Sequence, residues 1–272
     1  MKFTKMHGCL NDFVFVNCFE EKISNPNDLA KKISDRRSGV GADGLILVKS
    51  SENADAFMQI YNSDGSEDTM CGNGIRCMAK YVYDHEIARK NKIFIDTPVG
   101  IKEIDVQTED GKVKIASVDM GIPNLTSDVP EAIHVHDFNL KFVGVDTGTD
   151  HAVYFVEDNP DIKNIISWPD SEFAKEGTFF ENHKRFPLRT TSDFIEIISQ
   201  NEINMRVFER GCGETMACGT GATASVFAGV ILGKLDNEVT VHLRGGDLKI
   251  KVDDNKKCFL IGSAVEVFSR EF

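Results

Sequence analysis

Two segments of the chain place a cysteine between a glutamate and a glycine-rich run, in the same order of residues. Glu67-Asp-Thr-Met-Cys71-Gly-Asn-Gly stands in the first half, and Glu214-Thr-Met-Ala-Cys218-Gly-Thr-Gly stands in the second. A helical pattern follows each of them. A thiol at the start of a helix meets the positive end of the helix dipole and unpaired backbone N–H groups, and both favour the reactive thiolate. The repeat therefore predicts two reactive thiols, Cys71 and Cys218.

The backbone N–H groups at these two helix starts also suit a carboxylate, and the glycines let a ligand approach the backbone closely. Two such starts that face each other hold one carboxylate between two thiols. One thiolate then removes the proton from the α-carbon, and the opposite thiol returns a proton to the other face. The helix N-termini stabilise the charge that develops on the carboxylate. This chemistry predicts an amino-acid racemase or epimerase that needs no pyridoxal phosphate, and we see no separate phosphate-binding loop for it.

Other uses of a repeated cysteine fit less well. Cys71 and Cys77, like Cys212 and Cys218, have five residues between them, whereas the cysteine pairs of zinc sites are usually closer in sequence. Cys-Gly-Asn-Gly matches neither the P-loop nor the dinucleotide fingerprint. A cysteine hydrolase needs one cysteine with a histidine and an oxyanion hole, which leaves the second cysteine unexplained. We therefore expect no metal and no nucleotide cofactor.

Composition narrows the class of protein. The chain has 272 residues, 41% hydrophobic and 27% charged, with a formal net charge of −12. That charge disfavours nucleic acid or an anionic membrane as the main partner, and leaves a small-molecule amino-acid substrate. The seven cysteines include no CxxC pair, the first residues lack the apolar core of a signal peptide, and no run of eighteen apolar residues occurs. We therefore expect cytoplasmic thiols, with Cys18 and Cys258 as small buried apolar residues.

The elements around the two cysteines are mostly strands. Helical patterns cover residues 27–34, 75–85 and 222–232. Alternating apolar segments predict strands at residues 13–16, 45–48, 58–61, 92–95, 113–118, 142–145, 152–156, 194–198, 204–208, 239–243, 248–252 and 258–262. The repeat predicts an α/β (α+β) fold of two related halves, each a strand-rich layer around one main helix. We expect residues 1–117 in the first half and 118–260 in the second, with a final strand near 261–272 returning to the first half.

Five groups of residues along the chain form recognisable motifs. Met6-His7-Gly8 with Asn11-Asp12-Phe13 forms the first, and the others cover residues 35–36 with 39–44, 61–67 leading into 70–77, 207–215 leading into 217–221, and 241–243 with 245–248. With these motifs the chain resembles the diaminopimelate epimerase family, one of the pyridoxal-independent racemase families that include proline racemase. The resemblance covers nearly the whole chain, and its two cysteine segments are highly specific.

The resemblance implies two pseudo-symmetric barrel-like halves with the active site in the cleft between them. Cys71 and Cys218 would be the acid–base pair, with His151 assisting Cys71 and Glu209 assisting Cys218. The remaining implied contacts all bind substrate. Side chains of Asn11, Asn62 and Arg210 would hold its amino and carboxylate groups, and backbone amides of Gly72, Asn73, Gly219 and Thr220 would hold the reacting carboxylate. The family commonly forms dimers, so a homodimer is expected.

The sequence departs from the family pattern in three segments. Leu10 stands where the family usually has glycine before Asn11. Thr149-Asp150-His151 replaces the usual Asn-Pro-His, and Thr191 replaces an asparagine. The missing asparagines would bind the distal end of diaminopimelate, and threonine is shorter and lacks the second arm of the amide.

These departures keep more than one function open. The first interpretation is epimerisation of LL-diaminopimelate to the meso form, for lysine and peptidoglycan biosynthesis. The second is a pyridoxal-independent racemase of another amino acid, such as histidine or lysine. The third is a non-enzymatic relative, against which the two intact cysteine segments argue.

Overall fold

A computed structural model describes all 272 residues as a mixed α/β protein in which strands predominate. The α-helices are α1 (Pro26–Ser34), α2 (Gly72–Asp84), α3 (Asp170–Glu181) and α4 (Gly219–Ile231). The strands are β1 (Lys2–Gly8), β2 (Asn11–Asn17), β3 (Gly44–Lys49), β4 (Ala56–Asn62), β5 (Glu67–Asp68), β6 (Lys92–Asp96), β7 (Lys102–Glu109), β8 (Lys112–Gly121), β9 (Asn124–Leu125), β10 (Glu131–Val135), β11 (Phe138–Asp146), β12 (Asp150–Phe155), β13 (Thr191–Ser199), β14 (Glu202–Glu209), β15 (Gly213–Glu214), β16 (Glu238–Leu243), β17 (Gly246–Val252), β18 (Cys258–Ser263) and β19 (Val265–Glu271). No helix is both long enough and apolar enough to cross a membrane.

The chain divides into two compact units. The N-terminal unit consists of Met1–Asp119 together with Ile261–Phe272, and the C-terminal unit consists of Met120–Leu260. Each unit has its own buried core. The N-terminal core includes Val14, Leu45 and Ile33, and the C-terminal core is rich in aromatic rings such as those of Tyr154 and Phe194, whose centroids lie 5.4 Å apart.

The two units pair their strands in the same order, which confirms the predicted pseudo-symmetric halves. In the N-terminal unit, β2 pairs parallel with β3, β3 antiparallel with β4, and β4 antiparallel with β5 and parallel with β6, which pairs antiparallel with β7. In the C-terminal unit, β12 pairs parallel with β13, β13 antiparallel with β14, and β14 antiparallel with β15 and parallel with β16, which pairs antiparallel with β17. The sequence repeat around the cysteines is thus one part of a repeated topology.

Each unit wraps its strands around one buried helix. Helix α2 packs against β1, β2, β4, β6 and β7, and α4 packs against β11, β12, β13 and β17. Residues of α4 are mostly Gly, Ala, Val, Ser and Thr, and ten of them are buried. Because it is apolar on all sides, α4 suits an interior position rather than a surface one. Gly233, with φ 68°, follows its C-cap in the left-handed conformation that glycine adopts most readily.

Several elements were absent from the sequence prediction. Helix α3 is the largest of them, and it buries Phe173 and Phe180. Its N-cap, Pro169, makes no side-chain capping hydrogen bond, and Gly177 lies in its middle, so both of the usual local signals for a helix are weak. Gly177 is required there because a Cβ atom would overlap the ring of Phe208. Strands β1, β7 and β10 were also not among the predicted apolar segments.

Candidate active site

Cys71 begins helix α2 as its N-cap, as the sequence predicts. The residue is extended, with φ −135° and ψ 122°, and its Sγ accepts a hydrogen bond from the backbone N–H of Gly74 at 3.4 Å. The following residues Gly72, Asn73 and Gly74 are buried. Backbone donors at the first turn of a helix have no partner within the helix, so this start can bind an anion.

Asn11, at the start of β2, contacts the helix start through its side-chain oxygen. Its Oδ1 lies 3.4 Å from Cys71 Sγ and 3.3 Å from Asn73 Nδ2. Its Nδ2 donates to Asp43 Oδ2 at 2.8 Å. Because a carboxylate can only accept, Asp43 fixes the orientation of the amide and directs its oxygen toward Cys71. The N-terminal unit therefore brings together Asn11, Asn73 and Cys71.

A network of charged residues supports Asn11. Arg36 donates to both carboxylate oxygens of Asp12, at 3.2 and 2.8 Å, and to Asp43 at 2.8 Å. Lys5 Nζ lies 2.7 Å from Asp12. Burial acts to raise the pKa of Asp12, but hydrogen bonds from Arg36 and Lys5 overcome it and lower the pKa to about 2. The sequence motifs contain Asp12, Arg36 and Asp43, but only the structure gives them this positioning role.

Arg76 is a buried cation at the same helix start, and its position was not predicted. Its side chain is fully buried. The guanidinium donates to the carbonyl of Gly72 and to Asn73 Oδ1, both at 2.9 Å, and also to Ser263 O and Cys9 Sγ. None of these acceptors is a carboxylate. A buried guanidinium bound to neutral acceptors adds positive potential where an anionic substrate group would bind.

Asn62 ends β4, at the position equivalent to Glu209 at the end of β14. Its backbone N–H donates to the Ser66 carbonyl at 2.8 Å, and its Nδ2 donates to Ser66 Oγ at 3.1 Å. The turn that follows contains Gly65 with φ 83°. The carbonyl of Gly65 accepts from Asn27 Nδ2 on α1 at 2.9 Å. Helix α1 thus holds the turn that presents Asn62.

Cys218 begins helix α4 in the same way as Cys71 begins α2. Its Sγ accepts from the N–H of Gly221 at 3.4 Å and lies 3.3 Å from Thr220 Oγ1. Glu209 forms a hydrogen bond with the Cys218 side chain, and the hydroxyl of Thr215 donates to Glu209 Oε1. Burial raises the pKa of Glu209 although these hydrogen bonds oppose the shift. Cys218 and Glu209 thus form a pair that can exchange a proton.

The predicted preference for a thiolate was wrong at Cys218. The side chain is only 5% exposed. Burial, followed by the negative charges of Glu209 and Asp193, raises the pKa of Cys218 well above its ordinary value, and this outweighs the hydrogen bond from Gly221. The sequence prediction counted the helix dipole but not the neighbouring carboxylates. Cys218 therefore rests as a thiol that can donate a proton.

His151 lies on β12 in the same unit, between a hydroxyl and a carboxylate. Its Nδ1 is 2.8 Å from Asp193 Oδ2, and its Nε2 is 3.0 Å from Thr149 Oγ1. The side chains of His151 and Asp193 are both fully buried. The hydroxyl of Thr149, predicted to bind the distal end of the substrate, therefore contacts the histidine.

Thr191 and Arg210 meet through the backbone. Thr191 is paired with His151 across the parallel strands β12 and β13, and its Oγ1 accepts from the N–H of Arg210 at 3.2 Å. The guanidinium of Arg210 is exposed and forms no ion pair. It is therefore available to a ligand, whereas Thr191 is 5% exposed and supports the backbone next to it.

Asp193 and Thr215 are the main residues of this unit that sequence reasoning missed. Asp193 is the third residue of the buried strand β13, which begins Thr-Ser-Asp-Phe-Ile, and a charged residue is unusual in such a position. That signal was present but was not used. Thr215 gives no such signal, because a threonine in a polar loop is ordinary.

The matching family model and the similar known sequences carry the same description. The family model described as diaminopimelate epimerase matches residues 3–126 and 143–267. The chain is 47% identical over 290 residues to a diaminopimelate epimerase of Agathobacter rectalis, and the match covers 100% of this chain and 99% of the relative. It is 44% identical to one from Acetivibrio thermocellus, with coverage of 100% and 98%. A relative of the same name from Methanococcus maripaludis is 42% identical, with coverage of 100% and 99%.

Solved structures extend the likeness of the fold. A probable proline racemase from Agrobacterium radiobacter matches with a TM-score of 0.75 at 14% identity, covering 100% of this chain and 92% of that one. A Bacillus anthracis protein of the PhzF phenazine-biosynthesis family matches with a TM-score of 0.72 at 16% identity, covering 100% and 98%. At these identities the likeness concerns the fold alone.

Proposed function

Because this chain belongs to the diaminopimelate epimerase family, we propose that it converts LL-diaminopimelate to meso-diaminopimelate for lysine and peptidoglycan biosynthesis. The observation that carries the proposal is the repeated helix start, in which Cys71 and Cys218 each cap a buried helix and accept a hydrogen bond from its first turn. Inversion at carbon needs a base on one face and an acid on the other. Two equivalent thiols supply both without a cofactor.

In the proposed mechanism, Cys71 and Cys218 act on opposite faces of the α-carbon. The thiolate on one side takes the α-proton, and the thiol on the other side gives its proton to the carbanion. Glu209 serves Cys218, since the two side chains already share a hydrogen bond. The raised pKa of Glu209 makes it a better acceptor for the thiol proton than an ordinary carboxylate. His151 serves Cys71.

The reacting carboxylate is proposed to bind the backbone amides of Gly72, Asn73, Gly219 and Thr220. Arg76 strengthens the first of these helix starts electrostatically. We assign the other polar groups of diaminopimelate to three side chains, Asn11, Asn62 and Arg210. Arg210 favours a distal carboxylate, because its planar guanidinium can bind one through two parallel hydrogen bonds. Lysine has no carboxylate at its distal end for Arg210 to bind.

Thr149 and Thr191 are proposed as weaker contacts to the distal end. Both hydroxyls already have partners in the C-terminal unit, His151 and the Arg210 backbone. One lost neutral hydrogen bond costs on the order of 1 kcal/mol, so we expect slower turnover rather than a different substrate.

We also propose that the protein works in the cytoplasm as a homodimer. Two catalytic thiols require reducing conditions, which the cytoplasm provides. Strand β19 exposes Val265, Val267 and Phe268 by 41%, 51% and 39%, and we propose that a second copy of the chain covers them in a homodimer. Sedimentation should show a dimer for the wild type and a monomer for Val267→Lys. A monomeric wild type would contradict the proposed homodimer but not the proposed reaction.

The substrate is tested with a panel of LL-diaminopimelate, lysine, histidine and proline. We expect diaminopimelate to be inverted fastest, without added pyridoxal phosphate and with no effect of hydroxylamine. Cys71→Ala and Cys218→Ala should each abolish inversion, whereas Cys258→Ala should keep it. Rapid racemisation of histidine or lysine with inert diaminopimelate would instead support the alternative racemase.

A further inference from the structure

Asp193 has no place in the proposed proton transfers, although it is a fully buried acid beside the site. Its Oδ2 is bound to His151 Nδ1, while its Oδ1 has no hydrogen-bond partner. A Cβ atom at Gly221, in the first turn of α4, would overlap this Oδ1. Burying a carboxylate with one oxygen unsatisfied costs stability. Its presence is therefore better explained by its effect on His151 than by packing.

We infer that Asp193 is a positioning residue that keeps the proton of neutral His151 on Nδ1, so that Nε2 is the nitrogen that exchanges a proton with a thiol. The inference rests on the proposed function, which assigns His151 to Cys71. It concerns only contacts within the C-terminal unit.

The hydrogen bonds determine the tautomer. An ionised carboxylate can only accept, so Nδ1 of His151 must donate to Asp193 across the 2.8 Å contact. In neutral histidine, Nε2 then carries a lone pair. That nitrogen lies 3.0 Å from Thr149 Oγ1, and a hydroxyl can donate to it. While His151 is neutral, the hydrogen bonds therefore run in one direction, from Thr149 through His151 to Asp193.

The contact between Asp193 and His151 also stabilises the imidazolium that forms when His151 takes a proton. When a thiol gives its proton to Nε2, the S–H bond breaks, the N–H bond forms, and the electron pair stays on sulfur. The imidazolium then has Asp193 at its other nitrogen, and a buried carboxylate there stabilises the positive ring and holds its orientation. The hydroxyl proton of Thr149 turns away from Nε2 before the transfer, because that nitrogen has one lone pair, and the hydroxyl oxygen can then accept from the new Nε2–H. Without Asp193, neither the tautomer nor the ring orientation is fixed.

The tautomer can be measured directly by ¹⁵N NMR of the histidine side chains, with the His151 signals assigned by their loss in His151→Gln. The wild type should show a protonated Nδ1 and an unprotonated Nε2 for His151 at neutral pH. An Nε2–H tautomer in the wild type would overturn the inference. This measurement needs no substrate, so it remains valid even if LL-diaminopimelate is not inverted, a result that would instead refute the proposed function.

Asp193→Asn tests the consequence for catalysis. The amide has the same shape but can donate to Nδ1, and the corresponding change in a serine protease triad lowers kcat about 10⁴-fold through the wrong tautomer. We expect kcat to fall by about 10²- to 10⁴-fold with little change in KM, together with loss of the Nδ1–H signal. Ser192→Ala is the matched control, because Ser192 is the preceding residue of β13, is fully buried and also has an unpaired oxygen. It should leave kcat and the tautomer unchanged.

Two results of the Asp193→Asn experiment would contradict the inference. One is wild-type kcat. The other is a low kcat with the wild-type tautomer retained, since the loss would then have another cause. If Asp193→Asn fails to fold, the wild-type spectrum still tests the inference, because an Nε2–H tautomer would overturn it and an Nδ1–H tautomer would support it.

Discussion

Cys71 and Cys218 occupy the same position at the start of a helix but differ in their charged neighbours. Beside Cys71, the buried guanidinium of Arg76 donates to the first two residues of α2. Beside Cys218, the neighbours that matter are the carboxylates of Glu209 and Asp193. Positive potential favours a thiolate and negative potential favours a thiol. A two-base inversion needs one of each at the start of a turnover.

This difference predicts unequal alkylation. With limiting iodoacetamide at neutral pH, we expect Cys71, which is half-buried, to react at least about tenfold faster than Cys218, because the thiolate is the nucleophile. Peptide mass mapping at short times measures both rates. The buried Cys258, whose pKa is raised by burial to about 12, is an internal control that should react slowly. Faster labelling of Cys218 than of Cys71 would contradict the charge argument.

Glu209 gives a prediction for stability against pH. Burial raises its pKa in the folded state, so the folded protein binds its proton more tightly than the unfolded chain does. The favourable contribution is complete below the unfolded pKa and is lost as pH rises through the folded pKa. Glu209→Gln should therefore raise the melting temperature relative to the wild type more at pH 8 than at pH 4.5. It should also slow inversion. A stability difference that does not vary between the two pH values would count against a desolvated carboxylate.

The backbone is strained in the turn between β1 and β2. Cys9 and Leu10 both have positive φ, 51° and 62°, and they join Gly8 to Asn11 as a two-residue hairpin of the type that favours Asn-Gly. Leu10 stands where the family usually has glycine, yet it takes the left-handed conformation that glycine adopts most readily. Its side chain is 53% exposed. The turn keeps Asn11 beside Cys71 at a conformational cost.

Leu10→Gly should relieve that cost. The left-handed conformation costs a residue with a side chain about 1–2 kcal/mol, and the greater freedom of glycine in the unfolded chain offsets about 0.5–1 kcal/mol. We expect a net gain of about 0.5–1 kcal/mol in the free energy of unfolding, measured with urea. Leu188→Gly is the control, because Leu188 is 76% exposed and does not have positive φ. The control should show no gain in the free energy of unfolding. An equal gain in both variants would show that backbone strain at Leu10 is not its cause.

The two helix starts provide a matched pair of glycines. A Cβ atom at Gly221 would overlap Asp193 Oδ1. One at Gly74 would approach the flexible end of Ile46 at 3.0 Å and meet Cys71 at ordinary contact distances of 3.4 and 3.7 Å. Gly221→Ala should destabilise the protein by about 1–3 kcal/mol, as overpacking does. Gly74→Ala should cost less than about 1 kcal/mol, because a side-chain terminus can move. Equal losses in denaturant unfolding would show that Asp193 is not held rigidly against α4.

Local sequence signals account for these elements unequally. Cysteine followed by a glycine-rich turn predicted both α2 and α4, because the capping residue and the apolar helix are adjacent in sequence. Helix α3 lacks a capping side chain and owes its stability to Phe173 and Phe180 in the aromatic core. Asp193 meets His151 only after β12 and β13 pair in parallel. Contacts of this kind depend on strand register, which a single sequence does not specify.

At the scale of the whole molecule, the repeat is the strongest guide to function. One pair of related motifs predicted two halves, and the parallel and antiparallel pairings follow the same order in both units. The repeat does not predict the differences between the halves. Asn62 stands where the C-terminal unit has Glu209, and Gln59 binds Glu67 where Arg206 binds Glu214, at 2.6 Å in each case. Equivalent backbones thus carry different side chains, which suits two thiols with distinct partners.

The central claim is inversion of one α-carbon by two thiols, and the early isotope content of the product in D₂O tests it most directly. LL-diaminopimelate is incubated with the wild type, and product and remaining substrate are analysed by mass spectrometry before equilibrium. If one thiol removes the proton and the other returns a solvent-derived deuteron, the meso product carries one deuterium at the inverted carbon while the remaining LL substrate stays unlabelled. Product that keeps its original α-hydrogen, or no inversion of LL-diaminopimelate at all, would contradict the account.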